Sequence, residues 1–172
     1  MNFTKKVVLI GPMGAGKTTL GRLLASEFSC EYFDNDFEMT KRYGYSQEEL
    51  ASMPVVALHE VESRYLTDVL TQAAPFFTGA AASVVDYPAS RELLTKVTAI
   101  YLRIPLEQVI ARAGNTGVGR QALTHDAEKV LSDRYVRRDP LYKELAALTV
   151  ELTDQPQHDA AIISSFLRNQ NL

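Results

Sequence analysis

Lys17 and Thr18 stand in a setting built to handle phosphate. They close the run Gly11-Pro12-Met13-Gly14-Ala15-Gly16-Lys17-Thr18, which satisfies G-x-x-x-x-G-K-[ST]. Glycines in such a run let the backbone curl until successive N–H groups point at phosphate oxygens. A helix beginning near Gly16 adds its free N–H groups and the positive end of its dipole. Lys17 supplies a mobile charge for the β- and γ-phosphates, and the Thr18 hydroxyl is a ligand type for Mg²⁺. The flanks agree: the apolar run Val7-Val8-Leu9-Ile10 precedes the glycines, and a helical pattern (Leu20, Leu23, Leu24, Phe28) follows. Gly11, Gly14, Ala15, Gly16, Lys17, Thr18 and Thr19 are therefore the expected binders of a nucleoside triphosphate, and the motif leaves the acceptor open.

A second constellation follows the short apolar run Glu31-Tyr32-Phe33, where Asp34 and Asp36 lie two residues apart. In an open parallel sheet, ligands bind beyond the carboxyl ends of the strands, where a phosphate-binding loop also sits. Alternate residues of an extended chain point the same way, so both carboxylates are expected in the phosphate crevice. Asp34 would assist Mg²⁺, through water, and Asp36 would orient an acceptor hydroxyl or take its proton. A plain Asp- and Asn-rich turn is the competing explanation; the neighbouring glycine loop favours chemistry.

These groups need a scaffold. The 172 residues carry a net charge of −3 and a single cysteine, Cys30, which is read as a packing residue and excludes an internal disulfide. The charge gives no hint of nucleic-acid or anionic-membrane binding. No run approaches the roughly 18 apolar residues of a membrane span, and Met1-Asn2-Phe3-Thr4-Lys5-Lys6, which lacks an apolar core and cleavage pattern, is expected to lead into a strand rather than to act as a secretory leader. A cytoplasmic enzyme, monomeric and acting on small molecules, is the expectation. Strand patterns near 6–10, 31–33, 75–78, 97–103 and 147–151 alternate with helical patterns near 16–29, 37–43, 46–51, 56–71, 88–94, 105–113, 124–143 and 157–169. Such alternation predicts an α/β fold, one domain over 1–172, with a parallel sheet and helices on both faces. Gly114-Asn115-Thr116-Gly117-Val118-Gly119-Arg120 reads as a hinge or loop, with Arg120 able to swing over bound phosphates.

Gly11-Pro12-Met13-Gly14-Ala15-Gly16-Lys17-Thr18-Thr19-Leu20-Gly21-Arg22, followed by Phe33-Asp34-Asn35-Asp36, resembles the shikimate kinases. Arg138-Asp139-Pro140-Leu141-Tyr142 is similar to the family's Arg-x-Pro-Leu-Tyr segment, Gly114 to Leu123 to its lid, and Thr78-Gly79 to the start of its Thr-Gly-Gly-Gly. The resemblance implies a P-loop kinase of the nucleoside monophosphate kinase-like fold. It implies transfer of the ATP γ-phosphate to the 3-hydroxyl of shikimate in aromatic amino-acid biosynthesis. It places acceptor-binding helices near 37–71 and a lid near 113–124. On this resemblance Lys17 holds the transferring phosphate, Thr18 and Asp34 serve Mg²⁺, Asp36 binds the acceptor hydroxyl, and Arg120 closes over the phosphates. Arg138 pairs with the acceptor carboxylate, beside His59 and Gly79, while Arg112 and the loop Thr153-Asp154-Gln155-Pro156 lie on the adenine side.

Three departures stand out. His59 occupies the position of a family arginine in Leu58-His59-Glu60-Val61-Glu62. A histidine of ordinary pKa is mostly neutral near pH 7, whereas a guanidinium is a permanent fork. Losing a charged hydrogen bond costs roughly 1.5–3 kcal/mol, about ten- to a hundred-fold in affinity. Arg64, five residues on, faces elsewhere on an ideal helix. Gly79-Ala80-Ala81-Ala82 replaces a run of glycines with residues that tolerate positive φ poorly. The lid differs as well, with Gly119-Arg120-Gln121-Ala122-Leu123 in place of Arg-Pro-Leu-Leu. The altered acceptor side keeps two alternatives open: a kinase of the same fold for another small hydroxylated acceptor, and a non-catalytic nucleotide-binding relative.

Overall fold

The computed structural model describes residues 3–113 and 127–170. Five strands form one sheet: β1 (Lys6–Ile10), β2 (Glu31–Phe33), β3 (Phe76–Gly79), β4 (Thr98–Arg103) and β5 (Leu148–Glu151). Their order is β2-β3-β1-β4-β5, and every pair is parallel. The helices are α1 (Lys17–Glu27), α2 (Asn35–Tyr43), α3 (Gln47–Ser52), α4 (Val55–Val69), α5 (Pro88–Leu94), α6 (Leu106–Ala113), α7 (Ala127–Leu145) and α8 (Pro156–Asn169).

Side-chain alternation along the central strands explains why both faces are covered. Val7 and Leu9 of β1, with Ile100 and Leu102 of β4, pack on Leu20 and Leu24 of α1 and on Ile163 and Leu167 of α8. Val8 and Ile10, with Ala99 and Tyr101, turn the other way, onto Leu66 of α4, Leu94 of α5 and Tyr142 of α7. All eight strand residues are fully buried, so β1 and β4 read as continuous apolar runs. A third cluster, with Met39, Leu50, Leu58, Tyr65 and Phe76 at its heart, ties α2, α3 and α4 to the β2–β3 edge.

The expected elements form, with shifts at the ends. Helix α2 starts two residues early because Asp34 caps it, its carboxylate accepting the Phe37 N–H at 3.3 Å. A 3₁₀ turn at Val84–Asp86, with no periodic signature in the sequence, links β3 to α5. Pro140 is accommodated inside α7, and the chain continues helical to Leu145.

Candidate active site

Strand β1 stops where the chain must turn sharply. Gly11 has φ 144°, and a Cβ there would lie 2.6 Å from the Leu102 carbonyl oxygen, so only glycine fits between β1 and β4. Gly14 and Gly16 also take positive φ, and the turn feeds directly into α1 with Lys17 as its first residue. Ala15 is buried beneath the loop and its N–H donates to the Pro12 carbonyl at 3.3 Å, while Thr19 is exposed on α1. Lys17 Nζ donates to the carbonyls of Gly11 (2.9 Å) and Pro12 (2.8 Å). Burial lowers the Lys17 ammonium to about 8, against the pull of Asp36 and Glu62.

The two aspartates reach the same cavity by a different route from simple alternation. The strand ends at Phe33, so Asp34 is a helix cap and Asp36 lies in the first turn of α2. Asp34 Oδ2 accepts from Thr18 Oγ1 at 2.9 Å, which fuses the phosphate loop to the end of β2. Asp36 accepts from Asn35 Nδ2 at 3.0 Å, and burial raises its carboxyl above the ordinary range, helped by the Asp34 charge and opposed by Lys17. Thr18 and Asp34 offer hard oxygen donors beside the phosphate loop, a donor set that suits Mg²⁺ completed by water and phosphate oxygens.

The cavity that these groups face has a volume of about 350 Å³ and runs from Lys17 and Thr18 to Arg134 and Arg138. Gly79 forms part of its wall: a Cβ there would stand 3.0 Å from the Tyr32 hydroxyl and 3.4 Å from Lys17 Cβ. Ala80, Ala81 and Ala82 line the cavity too. None takes positive φ, since Ser29 is the sole non-glycine that does so among the described residues. The expected strain at the alanines is therefore absent; their methyls narrow the wall without distorting it.

At the far end, Arg138 is buried and held by Asp86. Its Nε lies 3.1 and 3.2 Å from the two carboxylate oxygens and its Nη2 2.6 Å from Oδ2. Arg137 approaches the same Oδ2 at 3.0 Å. His59 is in the cavity wall, its Nδ1 3.1 Å from the Tyr87 hydroxyl. Burial and the Arg138 charge lower the imidazole below its usual pKa, so it is neutral at pH 7. Arg64 lies over the Tyr43 ring and beside Asp68, away from the cavity. Arg112 sits outside the cavity, donating to the Gly14 carbonyl at 3.0 Å and pairing with Asp154 at 3.3 Å. That joins the loop after β5 to the phosphate loop. Arg120 and all of the expected lid near 113–124 beyond Ala113 lie outside the described residues.

Sequence reasoning gave no role to Glu62, which it named only within the segment around His59, nor to Ser83, Asp86, Tyr87 and Arg134. Glu62 lies in the wall, takes a hydrogen bond from Ser83, and is pushed by burial up to about 7. Arg134 precedes Arg138 by one helical turn, a spacing that periodicity alone places on the same face. Asp86 and Tyr87 have no such signal, because the 3₁₀ turn that delivers them is far in sequence from their partners.

A family model described as shikimate kinase matches residues 13–169. The chain belongs to the shikimate kinase family. Among its relatives, the shikimate kinase of Chromohalobacter salexigens is 33% identical over 166 residues, covering 94% of this chain and 89% of that protein. The shikimate kinase of Thiobacillus denitrificans is 34% identical over 162 residues, covering 90% and 85%. A solved structure of shikimate kinase from Acinetobacter baumannii in complex with shikimate superposes with a TM-score of 0.85 at 27% identity, covering 98% of this chain and 96% of that one. As a shikimate kinase family member, the chain is an ATP-dependent small-molecule kinase with the P-loop α/β fold. No helix among the described residues is long and apolar enough to cross a membrane.

Proposed function

We propose that this chain transfers the γ-phosphoryl group of ATP to the 3-hydroxyl of shikimate. The carrying observation is one continuous cavity with a phosphate loop at one end and a buried arginine at the other. A small acid polyol spanning it would present a hydroxyl to Asp36 and its carboxylate to Arg138. Asp36, with its raised carboxyl, accepts the hydroxyl proton as the oxygen bonds to the γ-phosphorus and the bond to ADP breaks. Lys17 turns from the loop carbonyls to the phosphates, and the backbone N–H groups of Gly14, Ala15, Gly16, Thr18 and Thr19 bind their oxygens. Thr18 and Asp34 would hold Mg²⁺, which supplies charge neutralisation on the phosphates when bound. Helices near 37–71 form the acceptor side of a single kinase domain, Gly79 gives the acceptor room beside Lys17, and Arg112 borders the adenine. Arg120, outside the described residues, keeps the phosphate-side role that the family resemblance implies. The proposed working unit is a cytoplasmic monomer acting on ATP and one small acceptor.

The test is ADP release from Mg²⁺-ATP with and without shikimate. Shikimate-dependent ADP release supports the reading. ATP binding with no shikimate-dependent release rejects it and favours another hydroxylated acceptor or a non-catalytic nucleotide binder.

A further inference from the structure

The acceptor end of the cavity holds more positive charge than its carboxylates balance. Arg134, Arg137 and Arg138 fall within five residues of α7. Asp86 pairs with two of them, Arg137 and Arg138. Arg134 lines the cavity and makes no hydrogen bond or ion pair among the described residues. It stands one turn before Arg138, so both guanidiniums reach the cavity from the same helical face. Burial and the charges of Arg138 and Arg137 disfavour its protonated form, opposed by Asp86 and Glu62. A half-buried cation beside like charges, without a partner among the described residues, is relieved by an anion placed against it.

Asp86 sharpens this arrangement. It does not line the cavity, and it grips Arg138 along the Nε–Nη2 edge. The terminal edge of the guanidinium, with Nη1, is left for a ligand, and a guanidinium can bind a carboxylate along either edge. Across the wall, His59 is neutral and occupied with Tyr87, so it offers no second charge.

We propose that Arg134 is the second cation for the acceptor's carboxylate, acting with an Arg138 that Asp86 holds in position. The inference rests on the acceptor being a small hydroxy acid, as read above. In this chain the two-point grip on the carboxylate then comes from a single helix, rather than from α4 and α7.

The experiment is titration calorimetry of shikimate, and of its methyl ester, into the parent, Arg134→Gln and Arg134→Lys, alongside turnover. Arg134→Gln is expected to weaken shikimate binding roughly ten- to a hundred-fold, leaving the ATP KM unchanged. Arg134→Lys is expected to recover part of that loss, as a charge without a fork. The ester, lacking the charge, is expected to bind parent and Arg134→Gln alike. Equal loss for acid and ester, or no loss for either, overturns the proposal while leaving the kinase reading standing. Arg134-dependent binding without turnover overturns the kinase reading and keeps the seat. No binding of shikimate by the parent overturns both.

Discussion

Replacing Lys17 by methionine keeps the apolar stem and removes the ammonium. The structure then predicts a loss of activity and a loss of the parent's gain in stability with rising pH. Burial lowers the Lys17 ammonium from 10.5 to about 8. Between those values the folded parent binds fewer protons than the unfolded chain, so its stability rises with pH there. At pH 7 the cost of burying the charge is fully present; from pH 7 to pH 9 the parent recovers about 1 kcal/mol. For a chain of this length that is about 2–4 °C in Tm. Lys17→Met has no such group. The Tm of the variant minus that of the parent should therefore fall by this amount between pH 7 and pH 9, measured by circular dichroism in matched buffers. Turnover should fall at least about a hundred-fold, the loss expected for one charged donor at the transferring group. A Tm difference that stays flat across pH would refute the desolvated ammonium, and near-normal turnover would refute its role at the phosphate.

Gly79→Ala should cut kcat by at least about ten-fold with little change in Tm. Its Cβ would press on the Tyr32 hydroxyl at 3.0 Å, which must give way, and would fill the space beside Lys17, whose Cβ lies at 3.4 Å; steady-state kinetics beside a melting curve separates the two effects. Glu62→Gln should grow more stable relative to the parent as pH rises from 5 to 8. Burial lifts Glu62 from 4.5 to about 7, so the parent loses stability through that window, by up to about 3 kcal/mol; a constant Tm difference would contradict this. His59→Arg should lower the shikimate KM, by up to about ten-fold, because a guanidinium there adds a charged donor beside Arg138. An unchanged or raised KM would place His59 outside the carboxylate's reach.

Local code made the phosphate end legible. A buried strand, a glycine turn and a helix start are each written in adjacent residues, and positive φ at Gly11, Gly14 and Gly16 follows from them. Asp34 and Asp36 were readable as a pair, but for a reason the structure replaces: a cap and a first helical turn direct them, not strand alternation. The acceptor end was legible only where spacing carries information. Arg134 and Arg138 share a helical face, which the sequence permits one to see. The Asp86–Arg138 pair spans 52 residues and the His59–Tyr87 contact 28, and both depend on a 3₁₀ turn without a periodic signature. At the alanines, residue type suggested strain, but φ is set by the path of the chain between β3 and that turn. That path keeps Ala80–Ala82 out of the left-handed region.

One cavity joins the phosphate loop to Arg134 and Arg138, and a coupled assay of ADP release from Mg²⁺-ATP measures whether its two ends work together. Shikimate added up to high millimolar concentration should produce saturable ADP release and one equivalent of phosphorylated acceptor per ADP. ATP binding with ADP release that shikimate leaves unchanged would contradict it.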